Sequence, residues 1–243
     1  TLRHPDLPGG PLEAWYLEAF CRAGGHQRNW GETRVPHRTR LLSAAPDGRE
    51  LRFLTTVDPA VEVRHEVRAG RDVVDFSFRL VNRGTNAWDI QWFQPACLRV
   101  AGFTARGQSN YTGRSFVFTA DGLRTLDQLP RTTEARYRGG QVYLPPWTRP
   151  GDANPRPLCE ARVANGLIGC FSADDRWLLA TASDRTFELF EGVYVCLHSD
   201  PLIDGLPPGG TRRIRQKLYL LPNDPAALLR RYRRDFPARG GRW

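Results

Sequence analysis

Five histidines, His4, His26, His37, His65 and His198, are the side chains of this sequence best suited to move protons near neutral pH. His198 has the most acidic company: Asp200 follows two residues on, and Glu188 and Glu191 lie on its approach. A carboxylate beside an imidazole orients the ring and raises its pKa. His26 and His37 flank Glu32 in a polar stretch and stand eleven positions apart. If that stretch folds onto His198, then His26, Glu32, His37 and His198 make an acid/base site or ligate a divalent metal. Their spacing is no metal signature by itself, and nothing in the sequence requires a cofactor. His65 alternates with Val61, Val63 and Val67, which predicts a core histidine.

Trp30, Trp92 and Gln94 suit sugar recognition, because indole faces stack on C–H surfaces and an amide offers a donor and an acceptor to hydroxyls. Arg114 would recognise a uronate or sulfate through paired hydrogen bonds, and Tyr143 would donate a proton in β-elimination. Large aromatics also fill cores, so these assignments await the fold. No Gly-rich phosphate loop, G-x-S-x-G elbow or H-E-x-x-H motif occurs. Nucleotide hydrolysis, α/β-hydrolase chemistry and zincin proteolysis therefore have no support. Five cysteines occur without a C-x-x-C pair, so buried thiols are expected.

The elements that must position these groups read as strands. Val61–Arg68 and Asp72–Asn82 alternate apolar and polar residues around an Arg-Ala-Gly-Arg turn, predicting an antiparallel hairpin. Further strands are expected at RTRLLSAA, ELRFLTTV, AWDIQWF, RSFVFT, GLIGCFSA, RWLLATA, FELFEGVYVCLHS and TRRIRQKLYLL. Arg22–Arg38 and Pro145–Pro157 read as irregular loops. One helix is expected over residues 225–236: Asn223-Asp224 caps it, Pro225 opens it, and Leu228, Leu229, Tyr232 and Phe236 share a face. The expectation is one all-β domain over residues 1–243, a two-sheet antiparallel sandwich with a C-terminal amphipathic helix.

The 243 residues carry a formal charge of +9, with Lys217 the single lysine among 35 Lys and Arg. That balance suggests an acidic partner. No apolar run reaches the ~18 residues of a membrane helix. Neither a signal-peptide core nor an initiator Met is visible, which leaves the compartment open, export included.

Two passages, VVDFSFRLVNRGTNAWDIQWFQP and EGVYVCLHSDPLIDGLPPGGTRRIRQKLYLL, resemble galactose-mutarotase-like proteins; the turn is Leu206-Pro207-Pro208-Gly209. The resemblance implies a β-supersandwich with a concave sugar-binding face, a fold that hosts aldose epimerases and domains of polysaccharide-processing enzymes. That superfamily places a catalytic glutamate on the strand before the turn. Here Val193–His198 contains none, and His198 takes the position. Gln94 stands about where the superfamily has a histidine.

The leading reading is a carbohydrate-active enzyme. His198 with His26 or His37 would act on a sugar or uronate by epimerisation, β-elimination or glycosidic cleavage. Trp30, Trp92, Gln94, Arg114, Tyr143, Glu191 and Asp200 would bind it. The alternatives are a non-catalytic carbohydrate-binding module and a basic nucleic-acid binder. Oligomeric state is open.

Overall fold

A computed structural model describes residues 1–24, 29–58, 60–149 and 156–237. In chain order the strands are β1 (Glu13–Arg22), β2 (Arg34–Val35), β3 (His37–Ala44), β4 (Glu50–Val57), β5 (Val61–Ala69), β6 (Val73–Asn82), β7 (Ile90–Arg99) and β8 (Ser115–Thr119). There follow β9 (Gly122–Thr125), β10 (Gln141–Tyr143), β11 (Leu158–Cys159), β12 (Val163–Phe171), β13 (Trp177–Ser183), β14 (Thr186–Gly192), β15 (Cys196–Pro201) and β16 (Thr211–Pro222). Helices α1 (Trp30–Thr33), α2 (Ala101–Thr104) and α3 (Thr133–Arg138) are short, and α4 (Pro225–Asp235) is the long one.

The strands form two sheets, as an all-β sandwich requires. Seven strands run β11-β10-β14-β15-β7-β1-β2, and nine run β3-β4-β5-β6-β16-β13-β12-β8-β9. The expected hairpin is β5–β6, in register from Val61 opposite Asn82 to Ala69 opposite Val74. Its inward Val61, Val63, Phe76, Phe78 and Leu80 meet Phe20, Phe93, Leu98, Leu189 and Leu197 of the other sheet in one core. Phe93 stacks on Phe20 at 5.3 Å and meets Phe78 edge-on at 5.1 Å, which ties the sheets together. His65 points into this core, with its Nε2 at 2.9 Å from Thr55 Oγ1. Burial lowers its pKa to about 4, so it is neutral at working pH.

Helix α4 forms where its cap predicts it. The Asp224 side chain accepts a hydrogen bond from Ala227 N, and Pro225 occupies the first turn. Leu228, Tyr232 and Phe236 pack on Leu178, Ala180, Tyr219 and Leu221, covering the outer face of β13 and β16. Arg230, Arg233 and Arg234 face solvent, while Arg231 turns back to bond Asp72 at 2.8 Å.

Four expectations are corrected. FELFEGVYVCLHS is a hairpin, β14 and β15, broken by a turn in which Val195 takes φ 55°. Residues Arg22–Arg38 are not all loop: β1 extends to Arg22, and α1 and β2 precede β3 at His37. The AWDIQWF strand continues through Pro95 as central strand β7. Finally, β1 is a strand that the sequence pattern does not announce. A proline inside a sheet needs an irregular partner. Here Tyr16 pairs with Ala96 but Ala19 with Gln94, so Leu17 and Glu18 oppose Pro95 alone. Leu17 adopts φ 54°, and the bulge sends Leu17 into the core while the next side chain faces outward.

Candidate functional site

Strand β15 alternates strictly. Leu197 packs in the core, and Ser199 hydrogen-bonds toward the nine-stranded sheet, its carbonyl accepting from Ser183 and Gln216. Cys196, His198 and Asp200 therefore share the outer face of the seven-stranded sheet. Neighbouring strands add to that face Trp92 and Gln94 from β7, Glu18 and Cys21 from β1, and Glu188 and Phe190 from β14.

His198 is 2% exposed and lies at the centre. Its Nδ1 is 3.5 Å from Asp200 Oδ1, and Gln94 Nε2 donates to the other carboxylate oxygen at 3.0 Å. Its Nε2 is 3.6 Å from Cys196 Sγ and 4.0 Å from Glu18 Oε2. Burial by itself would hold this imidazole's pKa down. The charge and hydrogen bond of Asp200, then the Cys196 contact, lift it to about 10. Glu18 is pushed above the usual carboxylate range by burial, with His198 opposing. Two strands therefore hold an imidazolium and a less acidic carboxyl against one another, and the Glu18 side chain, 34% exposed, opens the pair to solvent.

An aromatic and cationic wall adjoins them. Trp92 stacks on Phe187 at 5.6 Å, and Trp30 packs half-buried against the same group. The Arg156 guanidinium lies 4.0 Å over the Phe190 ring and 5.3 Å over Trp92, ion-paired with the buried Glu188. Cys97 Sγ, Cys196 Sγ and a ring nitrogen of His198 lie within 4.8 Å of one another, a group of described residues whose donors converge as metal ligands would.

The expected site residues divide accordingly. His198, Asp200, Gln94, Trp92 and Trp30 come together. His26 falls outside the described residues. His37 does not reach His198; its Nε2 bonds the Leu17 carbonyl at 3.0 Å and its ring meets Phe20 edge-on. Glu32 completes the cap of α1 with Asn29. Hence Glu32 and His37 do not converge with His198 on a metal. Glu191 and Tyr143 lie on the opposite side of the sheet. There Glu191 accepts from the Tyr111 hydroxyl and pairs with Arg131 at 2.7 Å, and Tyr143 is fully buried. Arg114 is held by Asp175 and the Ala173 carbonyl, away from His198.

Glu18, Arg156, Cys97 and Cys196 are not singled out by the sequence, which marks Glu188 only as a residue on the approach to His198. Glu18 carried a legible signal, an acidic residue in an otherwise apolar YLEAFC run. Arg156 sits in a proline-rich segment with no periodicity to place it.

No protein-family model and no curated protein sequence matches the chain. Among solved structures it is similar to a galactose mutarotase-like protein from Lactobacillus casei, at 9% identity and TM-score 0.46, covering 87% of this chain and 85% of that one. A galactose mutarotase-like protein from Clostridium acetobutylicum aligns at 8% identity and TM-score 0.47, covering 88% and 80%. Galactose 1-epimerase from Lactobacillus acidophilus aligns at 8% identity and TM-score 0.44, covering 91% and 82%.

Proposed function

We propose that the outer face of the seven-stranded sheet binds a reducing sugar and interconverts its anomers, with Glu18 and His198 moving the protons. The observation that carries this reading is the 4.0 Å between Glu18 Oε2 and His198 Nε2. In a cyclic hemiacetal the ring oxygen and the anomeric hydroxyl are bonded to one carbon, so an acid and a base this close reach both together. Glycosidic cleavage instead uses two carboxyls about 5–5.5 Å apart with retention, or about 6.5–9.5 Å with inversion. One partner here is an imidazole, and the spacing is shorter than either.

Glu18 accepts the proton of the anomeric hydroxyl while His198 Nε2–H donates to the ring oxygen. The bond from the anomeric carbon to the ring oxygen breaks, a carbonyl forms, rotation exposes its other face, and the protons return by the reverse path. Asp200 keeps Nδ1 protonated and Nε2 pointing outward. A pKa of about 10 keeps the ring charged at neutral pH, so it also stabilises negative charge on the ring oxygen. Trp92 and Trp30 offer ring faces to the sugar.

Proton-transfer groups of this kind contribute roughly 10²–10⁴ in rate. Exchange NMR on reducing hexoses should show accelerated anomer interconversion, lost by at least ~10²-fold in His198→Ala and in Glu18→Gln with circular dichroism unchanged. Parental rates in both variants would refute the assignment. The near-complete burial of His198 favours a second reading, a non-catalytic glycan-binding module. Sugar binding by calorimetry without any acceleration in the parent protein would select it.

A further inference from the structure

The outer face of the nine-stranded sheet carries its charges in cross-strand rows, and all but one of those that cross β5, β6 and β16 with cations are balanced. Glu66 bridges Arg52 and Arg68 at 2.9 Å each, and Lys217 meets Asp75 at 2.6 Å. Glu62 pairs with Arg83 at 3.3 Å. The exception is the row in which Arg64 stands directly opposite Arg79, and Arg79 directly opposite Arg213. All three are exposed, and none has a carboxylate partner among the described residues. Like charges directly opposed across strands are destabilising. This sheet neutralises its neighbouring rows, so the uncompensated row stands out.

The row leads into a groove of about 1130 Å³. Strand β13 ends at Ser183, opposite Gln216, which leaves residues 211–215 of β16 without a strand neighbour on that side among the described residues. Arg79, Arg185, Arg212, Arg213, Arg215 and Trp147 line the space. Asp184 offsets Arg215 at 3.6 Å and Asp204 reaches Arg185 at 3.8 Å, so the wall stays cationic. Arg212 is half-buried, and its guanidinium is pulled below its usual pKa by burial first and then by the charge of Arg185. A bound anion would relieve both the Arg212–Arg185 repulsion and that along the row.

We propose that this face binds a linear acidic polysaccharide, laid along Arg64, Arg79 and Arg213 and ending in the groove. Adjacent strands place the guanidinium stems about 4.8 Å apart, a spacing comparable with one sugar ring, so a polymer with a carboxylate on each ring meets one arginine per residue. The positive strip is one side chain wide because the rows beside it are balanced. A duplex, whose charge spreads over two strands, would use only its edge. Ser77, Val81, Thr211 and Arg215 flank the ladder on this face, so along the ladder itself bases would find no aromatic stacking platform. The inference stands apart from the anomer chemistry, which is on the other sheet.

Calorimetry with the full chain tests it, using an oligogalacturonate, a neutral dextran and a single-stranded oligodeoxynucleotide of equal charge. We expect oligogalacturonate binding that Arg79→Gln/Arg213→Gln weakens roughly tenfold or more. Arg3→Gln/Arg136→Gln, the same charge removed from elsewhere, should leave it nearly unchanged. The ladder variant should melt no lower than the parent, and His198→Ala should bind as the parent does. Three results would overturn the proposal: no oligogalacturonate binding at low salt, equal losses in the two double variants, or tighter binding of the oligonucleotide.

Discussion

Cys196 and His198 stand two residues apart on one strand face, and their titrations oppose one another. His198 is raised to about 10, so its stabilising contribution is complete below the ordinary imidazole value and is lost as pH rises toward 10. Cys196 is drawn below the usual thiol range, foremost by a hydrogen bond from Cys97 and further by His198, against the upward push of burial. Its contribution is complete above the ordinary thiol value and falls away as pH drops. Between pH ~6.5 and ~8.5, bounded by the two ordinary values, the slopes nearly cancel in the native pair. Cys196→Ser removes one of them. Denaturant melts of that variant should show stability falling with rising pH in this window, on the order of 1 kcal/mol per pH unit. The parent should remain nearly flat, and parallel profiles for the two proteins would refute the coupling.

At the scale of elements, the bulge of β1 places Glu18 beside His198, and His37 holds that bulge by bonding the Leu17 carbonyl. Leu17 at φ 54° bears the left-handed backbone that costs a side-chain-bearing residue about 1–2 kcal/mol. Leu17→Ala and Leu17→Gly both lose its core packing, roughly 2–5 kcal/mol. The glycine variant should nevertheless be the more stable by about 1 kcal/mol, the reverse of the order at a regular strand position. Chemical denaturation of the two decides it, and an alanine variant equal or better would show that the backbone strain is absent. The same bulge explains what could not be read beforehand. β5, β6 and α4 were legible because their alternation or capping is unbroken. In β1, Tyr16 and Leu17 both turn inward and Glu18 and Ala19 both follow on the outer side, so period two fails just where Glu18 stands. FELFEGVYVCLHS hid its turn for another reason: the strands on either side of it are largely buried on both faces, and the left-handed position falls on Val195 rather than on Gly192. His198, Asp200, Gln94, Trp92 and Trp30 are named by residue type and by the resemblance, and the fold brings them together, whereas their neighbours from β1 and the proline-rich segment depend on pairing that no local pattern encodes.

For the whole molecule the question is which electrostatic effect dominates, the many surface ion pairs or the excess of +9. Exposed pairs such as Arg83–Glu62 and Arg176–Asp174 are each worth about 0–1 kcal/mol, and salt weakens them. Self-repulsion of the net charge acts in the other direction: screening it stabilises the compact state. The Arg64–Arg79–Arg213 row concentrates that repulsion at directly opposed strand positions, with no carboxylate partner among the described residues. Raising sodium chloride from about 0.02 to about 0.2 M shortens the screening length from over 20 Å to under 10 Å. Repulsion between directly opposed guanidiniums and across the whole surface then weakens together. The melting temperature should therefore rise with salt, and it should rise less in Arg79→Gln/Arg213→Gln, where much of the local repulsion is already gone. Differential scanning calorimetry on the two proteins measures both quantities. A melting temperature that falls with salt would mean that the ion-pair rows outweigh the uncompensated ladder, and an equal rise in both proteins would place the repulsion elsewhere on the surface.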